Sequence, residues 1–390
     1  MKIHFPRVYT FMIGCALVAM LTLPMNLRAA KKPAPKPAAK VSPDVLVFSN
    51  GDKLTGTLDH EENGTVFFKS DNAGTVKVPW AKLKQLSTTR PFAVIEDGTV
   101  VARKRSNADV PVGTVAVNGD MLTVTSANGA QQIPVKNVAY LVDDPTFEKN
   151  VRQRQGLFQG ITGMVSAGAS TVTSTQNSES VNTNVALARG VPAVDWMPPR
   201  QRTLLNFNNS YGRITQPNTP TVKTNILHAA LEQHQYFSPR FYTLEQAVFD
   251  HNYSQGLNLQ QLYGAGIGYT VLKSPAQELD VTVVMNYTRQ QFDSVTPPIE
   301  PTQNLIGSNF GDNYMRKLPK GVIFTEVASF TPAWNDLQDY STNVALGATF
   351  PVFKNFGFSV GFIDTYLSVP PTGFKGNTVQ FTTGLTYSLR

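Results

Sequence analysis

The sequence predicts an all-β protein with a small N-terminal all-β domain of two repeats and a C-terminal transmembrane antiparallel β-barrel of about twelve strands. Three observations support this fold class. Long segments between residues 157 and 390 alternate apolar and polar residues, as strands between two different solvents do. Residues 44–145 contain two similar runs of strand and turn signals. An apolar stretch at the N-terminus has the features of a secretion signal.

The first thirty residues are predicted to be a signal peptide. Lys2 and Arg7 form a basic start, the following run over 8–27 is almost entirely apolar, and Ala29 and Ala30 offer small residues for cleavage. An uncleaved anchor is the alternative, because the run is about long enough to span a bilayer. We expect cleavage, since a Pro-rich tail follows directly.

Charge and cysteine content exclude several classes of function. The formal net charge is +7, but seven of the 34 Lys and Arg residues precede Val41, in the signal and in the Pro/Ala/Lys linker of residues 31–43. The remaining 27 basic residues balance the 27 acidic ones. We therefore expect no nucleic-acid partner. The only cysteine, Cys15, lies in the signal, so the mature chain would have no disulfide and no thiol nucleophile.

Residues 44–145 are predicted to form a small domain with an internal duplication. The hairpin turn at Asn50-Gly51 corresponds to Asp97-Gly98, and Val78-Pro79 corresponds to Ile133-Pro134. The offset grows between these positions because the polar stretch 103–111 reads as a loop insertion. Each copy is too small to bury its own apolar face, so we expect the two copies to pack together.

A polar connector over 146–156 leads to the predicted barrel, residues 157–390. Its strands are about 12–15 residues long, which exceeds the usual 5–6 and suits a tilted membrane crossing. Twelve strands are predicted; the second and eighth are weak, because the long segment 190–201 falls where a short turn is expected, and ten strands is the alternative. The predicted strands are 157–173, 178–189, 202–213, 222–236, 239–252, 259–272, 277–292, 306–317, 321–333, 337–352, 356–369 and 374–389.

An even strand number places both ends of the barrel on the periplasmic side. Short turns then alternate with longer, Pro-rich loops at 214–221 and 295–305. The segment 190–201 departs from this pattern, because it is long and falls on the side of the short turns. Aromatic residues near strand ends are predicted to form interfacial girdles: Tyr263, Tyr269, Tyr287, Phe356, Tyr366, Phe374 and Tyr387.

The polar rows supply the candidate site residues, which are predicted to line the lumen: His228, Glu232, His234, Gln260, Asp280 and Gln290. A metal site formed by His228, Glu232 and His234 is the alternative. At strand rise these three would spread over about 20 Å, which favours lumen lining. Gly264, Gly266 and Gly268 share one strand face and no helix follows them, so they are predicted to be small inward residues and not a phosphate loop.

No catalytic, cofactor-binding or metal-binding residues are assigned. The predicted barrel has only three histidines, His228, His234 and His251, and no nucleophile-elbow motif. We therefore expect that the protein is not an enzyme. An outer-membrane lipid hydrolase is one alternative, and a secreted soluble β-sandwich that binds partners is another.

Two stretches resemble the salt-inducible outer-membrane β-barrel family of unknown function (YdiY-like). One is 231–292, with Phe237-Ser238-Pro239-Arg240-Phe241-Tyr242, Leu259 to Leu262 and Gly264 to Tyr269; the other is 345–390. The resemblance implies a barrel in the outer membrane and no established catalytic residues. The chain ends in Arg390, whereas many such barrels end in an aromatic residue that the assembly machinery reads.

These observations together predict a pore or a structural component of the envelope. The expected location is the outer membrane, with residues 44–145 in the periplasm. The expected partners are outer-membrane lipid, the outer-membrane assembly machinery and a periplasmic partner of the N-terminal domain.

Overall fold

The computed structural model describes residues 42–70, 72–99, 110–127, 129–153, 155–172, 177–194, 196–216, 219–293 and 301–389. The predicted signal peptide and the linker up to residue 41 lie outside this part of the chain. Within the described ranges, no helix combines the length and the apolar character needed to cross a membrane.

Nine antiparallel strands form the N-terminal sheet: β1 (Asp44–Phe48), β2 (Lys53–Glu62), β3 (Thr65–Ser70), β4 (Gly74–Pro79), β5 (Leu83–Glu96), β6 (Val112–Asn118), β7 (Met121–Ser126), β8 (Gly129–Pro134) and β9 (Val138–Asp143). Their order is β4-β3-β2-β1-β5-β6-β7-β8, and β9 pairs with both β2 and β5. Strand β1 also pairs with both β2 and β5. The four strands β1, β2, β9 and β5 therefore close into a small ring.

The internal duplication is visible in the pairing of the strands. The first half of β5 pairs with β1 and ends the first copy, while its second half pairs with β9 and begins the second copy. Each copy therefore has five strand segments, and both copies have a 3-10 turn before the last one, at Trp80–Lys82 and Val135–Asn137. The turns at Gly51 and Gly98 both have positive φ, as hairpin glycines do.

The two copies share one core, because neither copy could bury its apolar face alone. Residues from both copies form a single buried cluster: Leu46, Leu58, Val66, Phe68, Val78, Leu83, Leu86, Phe92, Val94, Val115, Val117, Leu122, Val124, Ile133, Val138 and Leu141. The prediction of a two-repeat all-β domain is thus confirmed.

Twelve further strands form the second part: β10 (Ile161–Val172), β11 (Asn177–Val191), β12 (Gln201–Thr215), β13 (Val222–Tyr236), β14 (Phe241–Asn252), β15 (Leu257–Ser274), β16 (Gln277–Phe292), β17 (Thr302–Lys317), β18 (Ile323–Pro332), β19 (Tyr340–Phe353), β20 (Phe356–Leu367) and β21 (Asn377–Leu389). Each pairs antiparallel with the next, and β10 pairs with β21, which closes the barrel. Twelve strands is therefore correct and ten is wrong. The second, β11, has full ladders on both sides, and the eighth, β17, pairs along its length with β16 and over Phe310–Lys317 with β18.

The long segment between β11 and β12 contacts the N-terminal domain, which explains why it is not a short turn. Val194 joins a buried cluster with Ile95 and Val142 of the sheet and with Phe147 and Val151 of the helical connector. Residue Trp196 stacks on His60, with ring centroids 4.2 Å apart and planes 8° from parallel. His60 in turn stacks on Phe67 at 4.3 Å.

We expect Trp196→Ala to loosen the contact between the N-terminal sheet and the barrel, because it removes one ring of the stack. Stacked pairs contribute about 1 kcal/mol beyond the apolar area that they bury, so the total loss should be about 2 kcal/mol. Hydrogen exchange of the full-length protein in micelles should then rise about thirtyfold in Phe147–Arg152 and β9. Trp334→Ala, which removes an exposed tryptophan of a barrel loop, is the control and should change nothing there. Equal exchange in both variants would contradict the assigned contact.

Candidate functional site: the barrel lumen

Opposite faces of the barrel strands meet different surroundings. On β16 the row Val281, Val283, Met285 and Tyr287 points outward, with Val283 45% and Met285 63% exposed. The alternate row of the same strand, which includes Asp280, Asn286, Thr288 and Gln290, is buried. On β21, Phe381 and Leu385 are 70% and 74% exposed. The apolar rows therefore do not meet in a dry interior, and their exposure suits contact with lipid. The predicted girdle residues Tyr263, Tyr269, Tyr287, Phe356, Tyr366 and Tyr387 are also exposed.

One charged cluster crosses the lumen. Arg202 Nη1 on β12 lies 2.6 Å from Glu278 Oε1 and 3.4 Å from Asp280 Oδ2, both on β16. The strands β12 and β16 are not neighbours, so these side chains must meet inside the barrel. Asp280 Oδ1 also accepts a hydrogen bond of 2.5 Å from the Thr270 hydroxyl. Arg202 and its two carboxylates thus tie together non-adjacent parts of the wall.

Beside this cluster, stacked rings fill the lumen. The ring of His234 stacks on Tyr242 with centroids 4.5 Å apart, and Tyr236 lies 4.8 Å from Tyr242. His234 Nε2 lies 2.9 Å from Glu232 Oε2. Tyr242 is fully buried, and a Cβ on Gly268 would come within 2.2 Å of its ring. Gly268 is therefore a small inward residue, as the sequence predicts, and it makes room for this tyrosine.

A second polar cluster lies further along the same strands. His228 Nδ1 is 2.6 Å from Asp250 Oδ1, and Gln260 Nε2 donates to Asp250 Oδ2 at 3.0 Å. Gln290 Nε2 continues the chain by donating to Gln260 Oε1 at 2.9 Å. This row links four consecutive strands, β13 to β16, through side chains on their inner face.

All six predicted site residues lie on inward rows, but they fall into two clusters. Glu232, His234 and Asp280 belong to the cluster around Arg202, whereas His228, Gln260 and Gln290 belong to the cluster around Asp250. The described residues contain no group of three His, Cys, Asp or Glu side chains that could hold a metal ion. Sequence reasoning did not select Arg202 or Glu278 as site residues. The signal for them in the sequence is that each lies on the same alternating row of its strand as the predicted polar residues.

The other side of the lumen is lined by small neutral residues. Met164 Sδ on β10 and Thr349 Oγ1 on β19 approach to 3.7 Å across the interior, which identifies the inward rows there. The same rows contain Ser166, Asn184, Ser359 and Thr382, and these are half-buried or exposed. Side chains from β12 to β16 therefore fill one half of the lumen, whereas the inward side chains of the other half are mostly half-buried, with Thr386 as a buried exception.

One turn crosses the mouth of the barrel at the end away from the N-terminal domain. Gln255, between β14 and β15, donates from Nε2 to the carbonyl oxygens of Gly376 at 2.7 Å and Thr365 at 3.3 Å. Those residues belong to the opposite wall, half the ring away. Leu257, Phe292 and Leu367 form a buried apolar cluster beside this contact.

Phe374 corrects one prediction, because it is not part of an aromatic girdle. Strand β21 begins at Asn377, later than predicted, so Phe374 lies in the loop before it. Its ring approaches the turn at Gly256, where a Cβ would lie 3.0 Å from the ring. Gly256 has φ of 68°, so the tight turn also requires a residue that tolerates the left-handed region.

Known proteins were compared with this chain by sequence and by structure. No curated protein matches the sequence. Among solved structures, the NanC porin has 6% identity and a TM-score of 0.36, with 58% of this chain and all (100%) of that chain covered. The β-domain of the Bordetella autotransporter BrkA has 11% identity and a TM-score of 0.28, covering 59% and 98%. The outer-membrane channel DcaP of Acinetobacter baumannii has 11% identity and a TM-score of 0.25, covering 90% and 95%.

A family model matches residues 165–389, which is more than half of the chain and almost the whole barrel. The match agrees with the resemblance found in the sequence to an outer-membrane barrel family of unknown function. The matched residues form a closed twelve-strand barrel with an apolar outer face and a polar lumen. The chain belongs to the family of proteins of unknown function DUF481.

Proposed function

We propose that this protein is an outer-membrane pore for small polar solutes, with its N-terminal domain in the periplasm. The observation that carries the proposal is the less filled half of the lumen, where mostly half-buried neutral hydroxyl and amide side chains line β10, β11 and β19 to β21. A barrel that serves only as a structural component would have no need to leave one half of its lumen less filled. Outer-membrane lipid would contact the outward apolar rows, and the assembly machinery would insert the barrel.

The charge inside the barrel favours cations and neutral solutes. Between the rims of the described strands, the inward carboxylates are Glu232, Asp250, Glu278 and Asp280, and the inward guanidinium is Arg202. Lining by one sign of charge in a confined space raises the local concentration of the opposite ion. The pore is therefore expected to select cations over anions.

The selectivity test uses the full-length protein in planar bilayers under a KCl gradient. We expect a permeability ratio of K⁺ to Cl⁻ above unity in the wild type, and a fall of about two- to threefold in Asp250→Asn, because one of the few inward charges is lost. Asp312→Asn removes a carboxylate from the row that alternates with the inward one and should leave the ratio unchanged. Anion selectivity in the wild type would contradict the proposal.

We propose no catalytic activity for this barrel. Both lumen histidines pair with carboxylates, His228 with Asp250 and His234 with Glu232, and His251 Nδ1 contacts the Asn258 carbonyl at 2.6 Å. A lipid hydrolase would need a nucleophilic hydroxyl at one of these rings. No described hydrogen bond joins a serine or threonine hydroxyl to any of the three. The soluble β-sandwich alternative does not fit a closed barrel with outward apolar rows.

A further inference from the structure

Four neighbouring segments at one end of the barrel are rich in basic residues. They are residues 237–240, 273–276, 316–322 and 353–355, which connect β13 to β14, β15 to β16, β17 to β18 and β19 to β20. Because consecutive strands are antiparallel, these segments lie at the same end as the β11–β12 connection that contacts the N-terminal domain. They contain no acidic residue, and their basic residues, here called the basic arc, are all exposed: Arg240, Lys273, Arg316, Lys317, Lys320 and Lys354.

The four segments touch one another in order, so the basic arc forms one surface. Lys273 Nζ donates to Pro239 O at 3.0 Å, which joins the first segment to the second. Lys317 N donates to Ala276 O at 2.7 Å, which joins the second to the third. Gly321 in the third segment lies against the end of β19, which leads into the fourth. The basic arc therefore follows the rim continuously from β13 to β20.

The positive charge of the basic arc is not neutralised by carboxylates. Among the described side chains, no acidic group lies within ion-pair distance of any of its members. Glu278 pairs in register with Lys273 but binds Arg202 inside the lumen. Lys320 and Lys354 have φ of 62° and 49°, in the left-handed region that favours glycine and asparagine. Turn geometry disfavours lysine there, which points to a role for the two side chains.

Exposed apolar side chains accompany these charges and continue the lipid-facing surface. Each of the four segments has one inside it or directly beside it: Phe237, Leu272, Leu318 and Phe353. Lys354 Nζ lies 5.1 Å from the centre of the Phe353 ring, and Phe353 pairs in register with Phe356, where the outward row of β20 begins. Basic groups beside apolar groups at the edge of an apolar belt suit the boundary between the acyl chains and the phosphates of a bilayer.

We propose that the basic arc binds the phosphate groups of anionic phospholipids, of the phosphatidylglycerol class, in the periplasmic leaflet of the outer membrane. Each Lys or Arg near an anionic membrane surface strengthens association about fivefold. An acidic protein would match the charge but not the apolar side chains that continue into the lipid-facing rows. This binding is independent of whether the barrel conducts. It uses the proposed orientation of the barrel only to identify the leaflet.

The test is fluorescence quenching of the full-length Phe353→Trp variant in phosphatidylcholine vesicles that contain brominated phosphatidylglycerol or brominated phosphatidylcholine. Quenching of the parent protein, which has three other tryptophans, is subtracted. We expect this reporter to favour phosphatidylglycerol at least fivefold at low salt. The preference should vanish at about 1 M salt, where the Debye length is about 3 Å. The control reporter Phe381→Trp, on the outward row of β21, should show no preference. Phe237→Trp is a second reporter, in case Phe353→Trp does not fold.

Lys354→Asn in the Phe353→Trp protein should lower the preference for phosphatidylglycerol about fivefold, whereas Lys354→Arg should retain it. Asparagine tolerates the left-handed region, so the turn should form in the first of these variants. Lys375→Asn, which removes an exposed lysine at the opposite mouth, is the matched control and should change nothing. Heat-modifiable migration on gels confirms folding of each variant.

Equal quenching by the two brominated lipids in the folded reporter proteins would overturn the proposal. A preference that survives both high salt and the loss of Lys320 and Lys354 in the double asparagine variant would do the same. Protease added to intact cells tests the leaflet separately. Digestion of residues 44–145 there would place the basic arc on the outer surface and overturn its assignment to periplasmic phospholipid.

Discussion

Replacing Gln255 by alanine should raise the ratio of open to closed barrel in planar bilayers about thirtyfold. The Gln255 amide makes both hydrogen bonds that join the β14–β15 turn to the carbonyl oxygens of the opposite wall. Each such bond contributes about 1 kcal/mol net, and a change of about 1.4 kcal/mol corresponds to a factor of ten in an equilibrium. With the β14–β15 turn across the mouth the barrel is in its closed state. The loss of both bonds therefore shifts the population towards the open state.

The matched control is Gln338→Ala, which removes an exposed glutamine from another loop at the same end. This variant should conduct like the wild type. Adding Leu367→Ala to Gln255→Ala removes part of the apolar cluster with Leu257 and Phe292, and should open the mouth further. If all of these folded variants remain silent, the barrel is no pore, and a structural role in the envelope becomes the better hypothesis.

Glu61→Gln should stabilise the N-terminal domain strongly above pH 8 and have little effect near pH 4.5. Burial raises the pKa of Glu61 to about 8, against an ordinary value of 4.5, although the Gly64 N–H that donates to it opposes the shift. The folded domain therefore holds a proton that the unfolded chain releases. The associated stability is complete below pH 4.5 and is lost as the pH rises towards 8. The whole effect is about 5 kcal/mol.

Calorimetry of the full-length protein in micelles should show this difference in the melting transition of the N-terminal domain. We expect the Gln variant to melt roughly 20–40 °C higher than the wild type at pH 8.5, since about 1 kcal/mol corresponds to 4–8 °C in a domain of this size. Glu96→Gln on β5 is the control and should lack this pH dependence. A difference in melting temperature that stays constant from pH 4.5 to 8.5 would contradict the assignment of the buried proton to Glu61.

The strand number and most strand boundaries could be predicted from sequence because alternation is a local property. The predicted strands 222–236 and 277–292 agree with β13 and β16 to the residue. The start of β17 was predicted at 306 but lies at Thr302, because the Pro-rich stretch before it suggested a loop throughout. Asp339 was predicted inside a strand, whereas β19 begins at Tyr340 and leaves Asp339 in the loop.

Contacts across the lumen could not be predicted, because they depend on closure of the ring. Alternation in the sequence assigns Arg202 and Asp280 each to one face of its strand. Only the curvature of the whole barrel, however, brings the side chains of β12 within reach of those of β16. The same is true of Gln255, which occupies a short turn with no motif that indicates its partner. The contact of Trp196 with His60 depends on the path of a long connection, and the sequence showed only that this connection was unusually long.

The uneven filling of the barrel has a consequence for anything that moves through it. A solute would travel off the central axis, between a neutral wall of serine, threonine and asparagine and a facing wall that contains the carboxylates. It would therefore experience an electric field perpendicular to its direction of travel. Such a field turns a dipolar molecule so that its positive end faces β13 to β16, and the passage would orient its cargo as well as admit it.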